Sequence, residues 1–308
     1  MPTGLTSFVG RDADVVKVRE LLGDYRLTTL IGPGGAGKTR LAVEASRTLL
    51  DQMPDGVWLV EFDRVTEPAD LPAAVLAALG LREQSLMGAP GDPIDRLTAV
   101  LRDRAALLVL DNREHVITAA ATLADRVLAD CPRLRILATS REPLNINGES
   151  VWPVEPLALP AADVELRVAE LMSYDAVRLL VDRVRAVRPG FDITDDDVPA
   201  VSAICRALDG MPLAIELAAA RLPDHDRGPA CQPPRRPIPA AHRRQPHRHD
   251  PAPDARAVVD WSQNCSPSAE RALLRRVTVF ASAVSSVEAA ERVCAPVDPC
   301  RPARFSTC

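Results

Sequence analysis

The sequence predicts an α/β fold over its first two-thirds, in which a parallel sheet is flanked by helices and followed by an all-helical subdomain. Short apolar runs alternate with segments of helical spacing up to about residue 160. These runs are mostly apolar rather than apolar only at every second residue, which is typical of parallel strands covered on both faces. A glycine-rich stretch joins the first run to a helix, and from Ala161 to Arg221 only helical spacing remains.

Four apolar runs are the candidate strands: RLTTLIG (26–32), GVWLVEF (56–62), AALLVLD (105–111) and LRILATS (134–140). The segments between them have helical periodicity: KTRLAVEASRTLLDQM (38–53), DLPAAVLAAL (70–79) and HVITAAATLADRVLAD (115–130). In the helical region, apolar side chains recur at three- and four-residue steps and are predicted to form its core: Tyr174, Val177, Leu180, Val181, Val184 and Val187.

Composition excludes some classes of function. The chain has 308 residues and a formal net charge of −5, so its whole surface is not suited to nucleic acid or an anionic membrane. No apolar run approaches the roughly 20 residues that span a bilayer. The 7 cysteines form no CxxC pair, which indicates reduced thiols. We therefore expect a cytoplasmic protein without a membrane partner.

The stretch from Gly32 to Thr39 reads GPGGAGKT and matches the pattern G-x-x-x-x-G-K-[ST]. In a phosphate-binding loop (P-loop) of this kind, backbone N–H groups surround phosphate oxygens. Lys38 would reach the β- and γ-phosphates, and the Thr39 hydroxyl would bind Mg²⁺. A glycine-rich turn is the alternative, but the position between a strand and a helix favours a phosphate site. The candidate nucleotide-binding residues here are Gly32, Gly34, Gly35, Ala36, Gly37, Lys38, Thr39 and Arg40.

The run LLVLDN supplies an acid for the metal, because Asp111 follows four apolar residues of a predicted strand. The next residue is Asn112, so the adjacent position has no second carboxylate to orient an attacking water. Glu114 is nearby and could serve as the catalytic residue that orients this water, although Glu114 and His115 could equally form a solvated helix start. We therefore expect slow hydrolysis at most.

The fourth predicted strand ends in Thr139, Ser140 and Arg141. Arg141 could contact the γ-phosphate and act as a third catalytic residue. Alternatively, it is a surface arginine that pairs with Glu142.

Several motifs in this order resemble one family of proteins. They are SFVGRDADV, LIGPGGAGKTRLA, LLVLDNREHV, ILATSREPLNINGE, DAVRLLVDRVRAVRPGF and ICRALDGMPLAIELAAARL. Together they resemble the STAND class of P-loop ATPases, and in particular the NB-ARC-like module of bacterial LuxR-type transcriptional regulators. The resemblance covers residues 5–222.

The resemblance implies roles for further residues. Val9, Gly10 and Arg11 match the segment that packs near the adenine. Lys38, Thr39, Asp111 and Arg141 match the phosphate, metal and γ-phosphate residues. Gly210, Met211, Pro212 and Leu213 match the family's GLPLA motif, whose proline closes over the nucleotide.

Proteins of this class act as switches, so the resemblance implies ATP, ADP and Mg²⁺ as ligands, slow hydrolysis, and self-association in the ATP state. The family's DNA-binding domain has no counterpart before Cys308, so direct DNA binding is not expected from this chain. Two alternatives stay open at this point: an ATPase with ordinary turnover, and a remnant of a regulator that no longer binds nucleotide.

The sequence changes character after residue 222. Residues 223–255 are rich in Pro, Arg and His, and a segment so poor in large apolar residues is expected to be disordered. The family pattern stops at Leu222 and resumes at Arg256, which favours the hypothesis that 223–255 are translated out of frame. A Pro-rich linker, a basic nucleic-acid tail and a histidine metal tract are the alternatives. Residues 256–308 resemble the start of a winged-helix domain. The expected domains are therefore 1–160, 161–222, 223–255 and 256–308.

Overall fold

The computed structural model of this chain describes residues 6–81, 92–111, 116–161 and 164–220. All of these residues fall in one compact unit, Met1–Ala255. The predicted out-of-frame segment, the winged-helix-like segment and the candidate residue Glu114 lie outside the described residues.

A five-stranded parallel sheet forms the centre of this unit, which confirms the predicted fold class. Its order is β2-β3-β4-β1-β5, and every pairing is parallel. The strands are β1 Leu27–Ile31, β2 Val57–Glu61, β3 Leu107–Asp111, β4 Arg135–Ser140 and β5 Glu149–Pro153.

Helices cover both faces of this sheet. The helices of the sheet region are α1 Asp12–Asp24, α2 Lys38–Arg47, α3 Leu71–Ala78, α4 Pro93–Leu101 and α5 Ile117–Asp130. Leu108 and Leu110 of β3 share one buried cluster with α3, α4 and α5. Leu107 and Val109 are also buried and, by strand alternation, point to the opposite face.

The region after β5 is helical, as its spacing predicts. Its helices are α6 Val168–Leu171, α7 Asp175–Val187, α8 Val198–Ala207 and α9 Pro212–Ala219. The predicted core stripe of α7 is buried from Val177 to Val184, but Val187 is 53% exposed, so its assignment to the core was wrong. It is the last residue of α7, where the chain leaves the packed surface. No helix within the described ranges is long and apolar enough to cross a bilayer.

Strand β5 was not predicted from the sequence. It lies at the edge of the sheet beside β1, and Val151 at its centre is 38% exposed. Only residues 141–148 separate it from β4, whereas parallel strands are ordinarily joined by crossovers of a dozen or more residues. A half-exposed strand that follows so soon after another has no strong sequence signal.

Helices α1 and α4 were also not predicted, and the predicted helix 38–53 is shorter than expected. Helix α2 ends at Arg47, and a 3₁₀ turn at Leu50–Gln52 follows it. Helix α4 has a clear local start, because the Asp92 carboxylate accepts a hydrogen bond from the Ile94 N–H at 3.0 Å and Pro93 is the first helical residue.

Two buried threonines of the sheet lead to opposite expectations for stability. The Thr29 hydroxyl is fully buried and has no hydrogen-bond partner among the described residues, whereas the Thr139 hydroxyl donates to the Asp111 carboxylate. A buried hydroxyl without a partner costs about 1–3 kcal/mol. We expect Thr29→Val to raise the free energy of unfolding by up to about 1 kcal/mol and Thr139→Val to lower it. Urea unfolding measures both, and a destabilised Thr29→Val would contradict this assignment.

Candidate functional site

The P-loop motif lies in the structural context that it requires. Strand β1 ends at Ile31 and α2 begins at Lys38, with the glycine-rich loop between them. Gly35 and Gly37 have φ values of 80° and 87°, in the left-handed region that residues with a side chain rarely adopt. The loop thus depends on glycine at these positions for its curvature.

Lys38 lies over this loop. Its ammonium group donates hydrogen bonds to the carbonyl oxygens of Gly32 and Pro33, both at 2.8 Å. The positive charge is therefore held at the mouth of the loop, next to the backbone that would surround a phosphate.

Asp111 joins three elements at the carboxyl ends of the strands. Its Oδ1 accepts hydrogen bonds from the Thr39 hydroxyl at 2.7 Å and from the Thr139 hydroxyl at 2.5 Å. Thr39 is the second residue of α2, while Asp111 and Thr139 are the paired residues at the ends of β3 and β4. The sequence predicted Thr39 and Asp111 as metal ligands, and the structure brings them together. It adds Thr139, for which the sequence predicts no role.

A carboxylate and a hydroxyl at hydrogen-bond distance suit Mg²⁺, which prefers oxygen ligands and is usually bound by one or two protein groups together with substrate phosphates. Thr39 and Asp111 therefore fit this ion.

Arg141 lies beside the phosphate loop. Its Nη2 atom is 3.5 Å from the position that a Cβ on Gly34 would occupy. The guanidinium therefore lies near the loop, on the side where β4 ends. The sequence predicts that Arg141 contacts the γ-phosphate there.

The N-terminal segment at Gly10 and Arg11 contacts both the phosphate loop and the helical region. The Arg11 guanidinium donates to the carbonyl oxygens of Ala36 at 2.9 Å and Glu155 at 2.6 Å. A Cβ on Gly10 would lie 2.3 Å from Cγ of Asp175, the first residue of α7. The segment thus packs tightly against both regions.

Burial governs the electrostatics of this segment. It lowers the pKa of Arg11, against the opposing effect of the Asp14 and Asp175 carboxylates. Burial likewise raises the pKa of Asp14, although the Arg11 charge acts in the other direction.

Helix α9 begins directly on the phosphate loop. The Leu213 N–H donates to the Gly35 carbonyl at 3.2 Å, and the ring of Pro212 lies 3.7 Å from the Cβ position of Gly37. Gly210 just before it approaches Leu157, whose N–H donates to the Gly210 carbonyl at 2.9 Å. Pro212 and Leu213 of the GMPL stretch therefore contact the phosphate loop.

Arg40 is bound to the helical region through a shared acid. Oε1 of Glu216 accepts from Arg40 at 3.1 Å and from Arg183 at 2.9 Å. Both arginines also donate to the Ser7 carbonyl at 2.8 Å. Arg183 and Glu216 lie within the motifs quoted above, but the sequence predicts no role for either of them. Their contact with Arg40 cannot be read from the sequence, because Glu216 and Arg40 are 176 positions apart in the chain.

A cavity of about 250 Å³ lies where these parts meet. Its lining comprises Ser7, Phe8, Val9, Arg11, Gly35, Gly37, Lys38, Thr39, Arg40, Leu157, Leu179, Arg183, Pro212, Leu213 and Glu216. The predicted residues Val9, Arg11, Lys38, Thr39, Arg40 and Pro212 are all among them. A second cavity of about 310 Å³ lies away from the loop, between Pro68, Pro72, Ile94 and Leu123, and it carries none of the candidate residues.

A family model matches the part of the chain that contains the phosphate loop. Residues 22–146 match the family model of the AAA domain. This range begins before β1 and ends after β4, so it includes the phosphate loop, Asp111 and Arg141.

The chain is also similar to proteins of Mycobacterium tuberculosis. It is 40% identical over 289 residues to an uncharacterized protein, a match that covers 90% of this chain and 66% of that protein. It is 41% identical over 206 residues to a putative HTH-type transcriptional regulator, covering 67% of this chain and 21% of the regulator. The chain thus spans just under two-thirds of the first relative and a much smaller part of the second.

A solved structure shares the fold. The signal transduction ATPase with numerous domains (STAND) protein with a tetratricopeptide repeat sensor from Pyrococcus horikoshii aligns with a TM-score of 0.52 and 13% identity. The alignment covers 94% of this chain and 37% of that protein.

The contact between Gly35 and α9 leads to a prediction. A Cβ on Gly35 would lie 2.8 Å from Cβ of Leu213, so Gly35→Ala adds a clash to the strain of a positive φ. Gly80 has a similar φ of 74° with nothing within 4 Å of its Cβ position, so Gly80→Ala carries the strain alone. We expect Gly35→Ala to lower the free energy of unfolding by about 1–3 kcal/mol more than Gly80→Ala. If urea unfolding shows that both variants lose the same free energy of unfolding, the contact between Gly35 and Leu213 is contradicted.

Proposed function

From an AAA domain in a chain related to a putative transcriptional regulator, we propose that this protein is a nucleotide-binding regulatory switch. It binds Mg²⁺–ATP and ADP, hydrolyses ATP slowly at most, and belongs to the STAND class in the NB-ARC-like form found in LuxR-type regulators. The observation that carries the proposal is that α9 of the helical region begins on the phosphate loop, where Leu213 bonds to Gly35.

Different residues of the site would bind different parts of the nucleotide. The backbone N–H groups from Gly32 to Gly37 would hold the phosphates, and Lys38 would neutralise their charge. Thr39 and Asp111 would hold Mg²⁺, which offsets the negative charge of the phosphates when it is bound. The segment of Val9, Gly10 and Arg11 would form the wall on the side of the base.

A switch requires that ATP and ADP contact the two regions differently, since a ligand shifts an equilibrium only by its differential affinity for the two states. The γ-phosphate is the difference between these ligands. Arg141 lies beside Gly34 on the sheet side of the loop, and Pro212 and Leu213 lie against the loop on the helical side. A γ-phosphate bound by Arg141 would therefore act on the loop that α9 contacts.

Slow hydrolysis is part of the proposal. Asn112 follows Asp111 in the sequence, so a carboxylate that could orient water would have to come from elsewhere, with Glu114 as the candidate. A nucleotide that is hydrolysed slowly can hold one state long enough to signal, and its hydrolysis resets the switch.

The regulatory role rests on the relatives. One of them is named as a putative HTH-type transcriptional regulator, and we propose the corresponding role for this chain, in the cytoplasm and with self-association in the ATP state. The proposed domains are 1–160 for the nucleotide-binding region and 161–222 for the helical region that responds to it.

Equilibrium binding of ADP and ATP to the purified chain tests the proposal. We expect Lys38→Ala to weaken binding at least about tenfold, because a hydrogen bond to a charged group contributes about 1.5–3 kcal/mol. Lys17→Ala is the matched control, since Lys17 is the only other lysine and forms an exposed pair with Glu20 at 3.2 Å. A folded wild-type chain that binds neither nucleotide would contradict the proposal and favour a remnant.

Phosphate release under saturating Mg²⁺–ATP distinguishes a switch from an ordinary ATPase. We expect turnover well below about 1 s⁻¹, the lower end of the usual range for enzymes. Turnover within that range would show an ATPase whose main role is catalysis.

A further inference from the structure

The Thr139 hydroxyl has a place in the site that no motif assigns to it. It is 1% exposed and donates to Oδ1 of Asp111, the same oxygen that accepts from Thr39. The two donors approach from different elements, α2 and β4, while Asp111 ends the strand β3 that pairs with β4. One carboxylate oxygen is thus held from two sides.

This arrangement determines where the Thr39 oxygen can present its lone pairs. A hydroxyl group has one proton and two lone pairs. With the proton of Thr39 donated to Asp111, both lone pairs remain available to a cation. The orientation of Thr39 therefore depends on the position of Oδ1.

We propose that Thr139 is a positioning residue for the Mg²⁺ site, which holds Oδ1 of Asp111 in the orientation that directs the Thr39 oxygen to the metal. This inference rests on the proposed nucleotide-binding function. Thr139 itself need not contact the metal or the nucleotide. Groups that orient metal ligands in this way typically contribute 10–100-fold to metal affinity.

A simpler reading is that Thr139 is a buried hydroxyl that bonds to the nearest acceptor. The two readings differ in what the loss of the hydroxyl changes. A structural role would lower stability and change nucleotide affinity equally with and without Mg²⁺. A positioning role changes the dependence on Mg²⁺.

The experiment uses the full chain and ADP that carries a fluorescent label on the ribose. ADP affinity is measured first in EDTA, and Mg²⁺ is then titrated into the complex to find its half-saturating concentration. Thr139→Val and Thr139→Ala both lack the hydroxyl, whereas Thr139→Ser keeps it. Thr29→Val is the matched control, because it removes a buried hydroxyl of the neighbouring strand β1 that bonds to nothing among the described residues.

We expect the half-saturating Mg²⁺ concentration to rise about tenfold or more in the variants without the hydroxyl, with unchanged affinity for ADP in EDTA. Thr139→Ser and Thr29→Val should resemble the wild type. Use of both Val and Ala keeps the test valid if one of them fails to fold.

Two results would overturn the proposal in distinguishable ways. If the wild type binds ADP with Mg²⁺ and the variants require the same Mg²⁺ concentration, Thr139 has no positioning role and the proposed function stands. If a folded wild type binds no ADP in EDTA or with Mg²⁺, the proposed function and the inference fail together.

Discussion

The candidate site depends on the hydrogen bonds that the carboxylate of Asp111 accepts. It holds the start of α2 against the ends of β3 and β4 through two hydroxyl groups. Bonds from neutral donors to a carboxylate are shorter and stronger than those between neutral groups. Because α2 directly follows the phosphate loop, this contact sets the position of the loop relative to the sheet.

The helical region reaches the loop through backbone as much as through side chains. The bond from Leu213 to Gly35 is between main-chain groups, and at Gly35 a side chain would collide with Leu213. A small residue at that place lets one region lie directly on the other. A displacement of the loop backbone would therefore act directly on the start of α9, with no side chain between them.

Charged groups around the cavity add further contacts between the two regions. Glu216 lies between Arg40 of α2 and Arg183 of α7. Both arginines donate hydrogen bonds to the Ser7 carbonyl. Isolated surface ion pairs contribute about 0–1 kcal/mol, but here Arg183 is only 10% exposed and the groups form a network. The pairs connect the N-terminal segment, α2, α7 and α9 at one point.

The sequence by itself determined the local chemistry of this protein. The motif at 32–39, the acid at Asp111 and the apolar runs were sufficient to predict the parallel sheet and the Thr39–Asp111 pair, because these depend on spacing within a few residues and on the rule that parallel strands end at one edge. Only the tertiary structure decided that β5 completes the sheet edge, that Thr139 shares the oxygen of Asp111, and that Glu216 and Asp175 meet the N-terminal half. These contacts join residues far apart in the chain, and the packing of whole elements sets them rather than any periodicity.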